Sequence, residues 1–315
     1  MVWKLACLVV LCVYLAGCAP VRPVTLATPD AIERLRGIRW CGALWLPRTT
    51  PAGAPLGGIS GLAWDADTAT VYAVSDRGRV HHWRPRFAAG RLVGVELRAS
   101  FPLHDRAGRP LQGDSADAEG VALEASSEGR RLWISFEREH RIAPYDTQGR
   151  LLGAPRVPEP VRDAGYNTGM EALAGAGRQR LVGLERGPAG DGATTPIWSE
   201  PGGRVHAYPL AAEANSALTA LAPAGPGRYL ALERAYSPLR PIVITLKSIR
   251  WRASEGISVT PLARLSGGEG WHLDNFEGLA ALGAGRYLMV SDDNFSTLQR
   301  TLLACFRTEA GAGGT

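Results

Sequence analysis

Carboxylates recur along this chain in pairs spaced as the two ends of a β-hairpin would be. Glu119 and Glu137 stand 18 positions apart, Glu171 and Glu185 14, and Glu277 and Asp292 15. Two strands and a turn fit such spans, and the first and last residues of a hairpin lie side by side. With Asp76 and Glu233 this gathers eight acids at one edge, and Arg77, Arg138, Arg186 and Arg234 each follow one of them directly. Crowded like charges are costly unless cations or arginines balance them. Two outcomes stay open. In the first, Glu119, Glu171, Glu277 and Asp292, with the amide oxygens of Asn294 and Asn275, hold a divalent cation; calcium is the hard ion that takes several oxygen ligands. Arg77 and Arg234 then contact an anionic substrate among Asp76, Glu137, Glu185 and Glu233, and the cation polarises a phosphate or ester and activates water. In the second, each acid pairs with an arginine or caps a turn, since structural ion-pair networks resemble sites. His272, in Trp271-His272-Leu273-Asp274 just ahead of Asn275-Phe276-Glu277, is a candidate general acid, with a plain loop histidine as the alternative.

The elements that position these residues form a repeat. Five segments align: Ile59-Ser60-Gly61-Leu62 with Val74-Ser75-Asp76; Glu119-Gly120-Val121 with Ser135-Phe136-Glu137; Glu171-Ala172-Leu173 with Gly183-Leu184-Glu185; Thr219-Ala220-Leu221 with Ala231-Leu232-Glu233; and Glu277-Gly278-Leu279 with Val290-Ser291-Asp292. Each is a short apolar run, a Gly-rich turn, a second run and an acidic end, without helical spacing. The 38 Gly and 22 Pro argue for many turns and against long helices. A recurrence of about 45–60 residues suits four-stranded blades. The reading is an all-β β-propeller over residues 37–307. Five units plus a blade shared by the termini give six blades of four antiparallel strands, with five or seven left open and a β-sandwich as the rival.

The N-terminus carries an address. Lys4, an apolar run from Ala6 to Leu15, and Leu15-Ala16-Gly17-Cys18 resemble a bacterial lipoprotein leader, residues 1–17, with Cys18 acylated. Two or three acyl chains anchor stably. Ala19 after the cysteine points to the outer membrane, facing the periplasm. Residues 18–36, rich in Pro, Thr and Val at their start, read as a tether, and 308–315 as a flexible tail. The formal charge of +5 falls by one, to +4, when Lys4 leaves with the leader. Arginine is scattered, so no basic stripe argues for nucleic acid. Of five cysteines only Cys41 and Cys305 remain in the folded region, near its two ends. Export permits a bridge between them, and two buried free thiols are the alternative.

Several chemistries lack their motifs. There is no Gly-x-Ser-x-Gly elbow, no Cys/His zinc spacing and no phosphate loop ahead of a helix.

Taken in order, Gly57-Gly58-Ile59-Ser60-Gly61-Leu62, Asp117-Ala118-Glu119-Gly120, Asn167-Thr168-Gly169-Met170-Glu171-Ala172-Leu173, Leu232-Glu233-Arg234, Asn275-Phe276-Glu277-Gly278-Leu279, Ser291-Asp292-Asp293-Asn294-Phe295 and Gln299 resemble the bacterial family named esterase-like activity of phytase. The resemblance spans roughly Gly37 to Phe306. It implies a propeller similar to phytases that bind phosphate through calcium at the channel mouth, hence a hydrolase of small phosphoesters or esters. The chain departs from the repeated pattern at Ser60 and Thr219, which stand where other units have Glu and argue against a full multi-calcium centre. A non-catalytic propeller that binds a partner, and a lactonase-like propeller using one calcium, are the competing readings.

Overall fold

The computed structural model describes residues 20–309, apart from 128, 163, 177–178, 188–191 and 253–255. The leader, Cys18 and the tail beyond 309 therefore lie outside the described residues.

Among the described residues twenty strands build five sheets. An N-terminal stretch supplies β1 (Arg22–Pro23), a one-and-a-half-turn helix α1 (Pro29–Arg34) and β2 (Ile38–Trp45). The first blade is β3 (Ile59–Asp65), β4 (Thr70–Ser75), β5 (Arg79–Ala88) and β6 (Arg91–Pro102). The second has only β7 (Ala118–Ser126), β8 (Gly129–Phe136) and β9 (Arg141–Tyr145), with single bridges from Leu151 and Arg156 in place of a fourth strand. The third is β10 (Ala172–Ala176), β11 (Gln179–Gly183), β12 (Thr194–Glu200) and β13 (Val205–Pro209). The fourth is β14 (Ser216–Gly225), β15 (Arg228–Ala235), β16 (Val243–Arg252) and β17 (Gly256–Ser266). The fifth runs β18 (Asn275–Gly283), β19 (Arg286–Asp292) and β20 (Leu302–Thr308), then takes β2 and β1 from the N-terminus.

The inner strands β3, β7, β10, β14 and β18 contact one another in turn, and β18 returns to β3, so five blades close the ring. Six was the expected number. The correction has a simple cause: the fifth repeat and the blade shared by the termini are the same sheet. Pairing of β2 with β20 closes it, and a disulfide between Cys41 and Cys305, with Cα atoms 5.0 Å apart, ties these two strands.

Among the described residues the buried apolar side chains fall into five clusters, one at each blade junction. This follows from the two-residue period of a strand, which sends alternate side chains to the two faces of each sheet. Near the axis the inner strands approach too closely for side chains. A Cβ on Gly61 would strike the Glu119 carbonyl, and one on Gly120 would lie 2.7 Å from the Glu171 carbonyl. Small residues at this step of the repeat are a requirement of ring closure.

The segment expected as a tether is mostly packed instead. Arg22 and Pro23 pair with Trp45 and Leu44, and Ala27 bridges Trp271. Leu26, Ala27 and Ala31 are buried in the junction between the fourth and fifth blades. Thr28 caps α1 by accepting from the Ala31 N–H, with Pro29 in the first turn, where its missing donor costs nothing. Apolar residues at 24, 26, 27 and 31 gain more from this crevice than a free linker would from solvation.

Candidate metal and active centre at the channel mouth

Four of the five inner strands slip register at the same point of the repeat. The shift lies between Ile59 and Gly61, Ala118 and Val121, Leu218 and Ala220, and Phe276 and Gly278. A bulge of this kind re-aims a side chain. The residues at these steps are Ser60, Glu119, Thr219 and Glu277, and Glu171 stands at the same step just before β10. Glu119, Glu171 and Glu277 come from three different blades yet each raises the charge cost of another, so they converge on the axis. Two positions further on, Leu62, Val121, Leu173, Leu221 and Leu279 line a cavity of about 70 Å³ below them. The carboxylates thus sit on an apolar floor.

A second tier comes from the strand that returns to the mouth. The N–H groups of Asp76, Glu137 and Glu185 donate to the carbonyls of Gly58, Asp117 and Gly169, and Arg234 and Asp292 hold the matching positions opposite Ala217 and Asn275. Four acids and one arginine therefore ring the site. Arg234 Nη2 lies 3.4 Å from Glu277 Oε1 and 3.7 Å from Glu185 Oε1. Burial opposes its charge, yet Glu277, Glu171, Glu185 and Asp292 hold the guanidinium above its ordinary range.

Burial dominates the acids. It lifts Asp292 to about 6, with Asp293 adding to the rise and Asn294 N–H and Arg234 opposing it. Asp76 rises to about 7 by burial and the charges of Asp292 and Asp117. Glu137 also reaches about 7, although it accepts from the Gly169 N–H at 2.9 Å. Glu277 reaches about 8, by burial and then Asp292. Glu119 and Glu171 go well above the usual carboxylate range, by burial first and neighbouring acids second. These are groups that resist ionising together unless a cation joins them.

The residues fit such a cation. Asp117, Glu119 and Glu137 each bring a carboxylate oxygen to within 4.8 Å of the others. Two oxygens on one calcium, at about 2.3–2.6 Å from it, span up to about 5 Å. Glu171 Oε2 is buried with no hydrogen-bond partner. All donors are oxygens, which selects a hard ion. Arginines stand on the rim: Arg138 Nε is 2.9 Å from Asp117 Oδ2, and Arg77 lies over the Phe295 ring at 3.8 Å.

The structure therefore brings together Asp76, Glu119, Glu137, Glu171, Glu185, Glu277, Asp292, Arg77 and Arg234 from the expected set. Three others it places elsewhere. Glu233 is fully buried in the junction between the third and fourth blades, 2.7 Å from Lys247 Nζ, accepting from Tyr208, Ser216 and the Ala211 N–H. It is structural, not substrate-binding. Asn294 turns outward and its amide donates to Gln299 Oε1 at 3.2 Å, while its N–H caps Asp292, so it shapes the turn rather than the ligand set. His272 is exposed ahead of β18, its N–H on Leu26 and its carbonyl toward Arg300. Among the described residues no hydrogen bond or ion pair links its ring to the acids.

Asp117 is the member of this acidic cluster not among the expected site residues. It stands two residues before Glu119 and directly opposite Glu137, whose N–H donates to its carbonyl. The slip between Ala118 and Val121 re-aims Glu119, whose carboxylate comes within 4.8 Å of those of Asp117 and Glu137. The signal was the Asp-x-Glu-Gly string at the start of an inner strand.

No curated protein matches the chain. Among solved structures it is similar to one titled "Structure of U3-55K", at 13% identity and a TM-score of 0.37, covering 77% of this chain and 79% of that one. It is similar also to the tail fiber of Staphylococcus aureus phage P68, at 11% identity and a TM-score of 0.44, covering 85% of this chain and 53% of that one. Residues 54–295 match the phytase-like family described as esterase-like activity of phytase, and the chain belongs to that family.

Proposed function

We propose that the mouth is a calcium-dependent hydrolytic centre for small phosphoesters, held at the outer membrane by an acyl anchor on Cys18 and facing the periplasm. One observation carries the reading: Asp117, Glu119 and Glu137 converge, with oxygens within 4.8 Å of one another, on an apolar floor beneath a rim of arginines. Asp117, Glu119 and Glu137 would hold the cation, with Glu171 Oε2 free to join them. When bound, the cation supplies Lewis acidity toward a phosphoryl oxygen and toward water. Arg77 and Arg138 orient the anionic group from the rim. Arg234 neutralises Glu185, lies 3.4 Å from Glu277 Oε1 and keeps the far side of the mouth compact. Glu277, raised to about 8, holds a proton at neutral pH. It is placed to give that proton to the leaving oxygen as water attacks phosphorus and the P–O bond breaks.

The test is turnover of p-nitrophenyl phosphate and p-nitrophenyl butyrate by the mature chain, with calcium and with EDTA. The phosphate ester should turn over only with calcium, and Glu119→Gln with Glu137→Gln should lower the rate by about 10²-fold or more. Calcium-dependent cleavage of the butyrate alone would move the substrate class to carboxylic esters. No calcium-dependent turnover, with the double variant unchanged, would sink the enzyme reading and leave a propeller that binds without catalysis.

A further inference from the structure

The chain enters the propeller on the same face as the acidic mouth. β2 ends at Trp45 beside Leu302, at the edge where Asn275 pairs with Asp292. β1 runs antiparallel to β2 with Arg22 opposite Trp45, so the residues before Arg22 leave over the mouth side. Pro20 is exposed there, beside a cavity of about 300 Å³ lined by Pro20, Arg22, Trp45, Leu46, Pro47 and Arg48. Only two peptide steps separate Pro20 from Cys18. At about 3.6 Å per residue they span no more than about 7 Å.

A second observation is independent of the anchor. Leu239 and Leu298 are the two most exposed large apolar side chains among the described residues, at 106% and 92%. Leu239 lies between β15 and β16 and Leu298 between β19 and β20, and both loops follow strands that end at the mouth. Each sits near a cation, Arg240 and Arg300, with Arg48 alongside. Leu239 projects from a backbone with φ of 65°, in the left-handed region that leucine disfavours. Isolated apolar tips flanked by basic side chains suit the boundary between headgroups and acyl chains, where leucine is buried and arginine meets phosphate.

We infer that the mouth face is the membrane-facing surface of the propeller, with Leu239 and Leu298 dipping into the bilayer interface beside the acyl anchor. The inference rests on the proposed acylation of Cys18 but not on the proposed hydrolysis. It gives that reading a geometry: the acidic mouth opens onto the narrow gap above the lipid headgroups, and substrates reach it along the membrane plane. The occupant is a phospholipid surface.

Fluorescence tests this without any activity measurement. Cys41 and Cys305 are bonded, so in the acylated chain Leu239→Cys, Leu298→Cys and, at the opposite end, Val205→Cys each offer one thiol for an environment-sensitive label. Each labelled lipoprotein is reconstituted in phosphatidylethanolamine–phosphatidylglycerol vesicles containing a nitroxide lipid. The labels at 239 and 298 should brighten by about twofold or more and be quenched by the nitroxide, while that at 205 stays as in water. Labels at 239 and 298 that remain in water, or equal quenching at 205, would overturn the orientation while leaving the hydrolase untouched. A mature protein whose mass shows Cys18 unmodified would overturn the inference at its root.

Discussion

The third and fourth blades carry the same tripeptide at the same place, Leu184-Glu185-Arg186 and Leu232-Glu233-Arg234, and fold it to opposite effect. In the third blade Gly183 pairs with Ala172, so Leu184 enters the core and Glu185 reaches the mouth. In the fourth Leu232 pairs with Ala220, so Glu233 enters the core and Arg234 reaches the mouth. A shift of one residue exchanges the two faces of a strand. The consequence is chemical. One blade adds a carboxylate to the site, and its neighbour adds the cation that balances it. The buried Glu233 is tolerated because Lys247, Tyr208, Ser216 and the Ala211 N–H surround it.

The sharpest test of this difference makes one substitution in both tripeptides. Glu233→Gln leaves Lys247 buried without its partner and should cost about 3–5 kcal/mol of unfolding free energy. Glu185→Gln removes one of several crowded acids and should cost less than about 1 kcal/mol in calcium-free buffer. Denaturant unfolding of the two variants decides the matter. Equal losses would mean that the two glutamates occupy like environments after all.

A pH series reads the acids of the mouth. In the calcium-free protein Asp292, Asp76, Glu137 and Glu277 titrate near 6, 7, 7 and 8, above their unfolded values. Between about pH 4 and 8 the folded chain binds more protons than the unfolded one, so stability falls as pH rises through that window. His81, buried and held neutral down to about 3, acts with the opposite sign below about 6.5, where the unfolded chain gains a proton first. The four raised carboxyls outweigh the one histidine, so the calcium-free Tm should drop by several degrees, about 5 °C, between pH 5 and pH 8. Calcium should restore more at pH 8 than at pH 5. A calcium-free Tm that climbs from pH 6 to 8 would remove the physical case for a crowded mouth.

How much of this was legible beforehand depended on which interaction fixed each feature. The hairpin spacing of Glu119 with Glu137 and of Glu277 with Asp292 is a local property and shows in the chain. So does the run of Gly61, Gly120 and Gly278, whose small size the ring closure demands. The blade count was not local: nothing near Asn275 says that β18 to β20 will be completed by Ile38–Trp45 rather than form a separate blade. The face of Glu233 was also hidden, because two identical tripeptides differ only in a pairing register set by the bulge at Thr219 and the partners across the sheet. Asp117 lies opposite Glu137 by the hairpin pairing itself, and what alternation does not foresee is the slip that re-aims Glu119. The packing of Leu26 and Ala31 depended on a crevice made by residues more than 200 positions away.

The arginines of the two tripeptides give the smallest and most discriminating contrast. Arg234 is largely covered and stands between Glu185 and Glu277; Arg186 is half-exposed, 3.8 Å from Glu185. Arg234→Gln should therefore leave the Glu171, Glu185 and Glu277 side without its counter-charge, costing about 1–3 kcal/mol at pH 8 in calcium-free buffer. The cost should shrink at pH 5, where Glu171 and Glu277 hold protons. Arg186→Gln should cost less than about 0.5 kcal/mol at either pH, as exposed pairs do. The same pair of variants reads out cation number. If Arg234 serves as a built-in cation, its removal opens room for another ion, and calorimetric titration with calcium should show a higher stoichiometry for Arg234→Gln than for the parent or Arg186→Gln. An unchanged stoichiometry with an undiminished cost at pH 5 would mean that Arg234 acts through packing alone, and that the mouth balances its charge by protons rather than by an arginine.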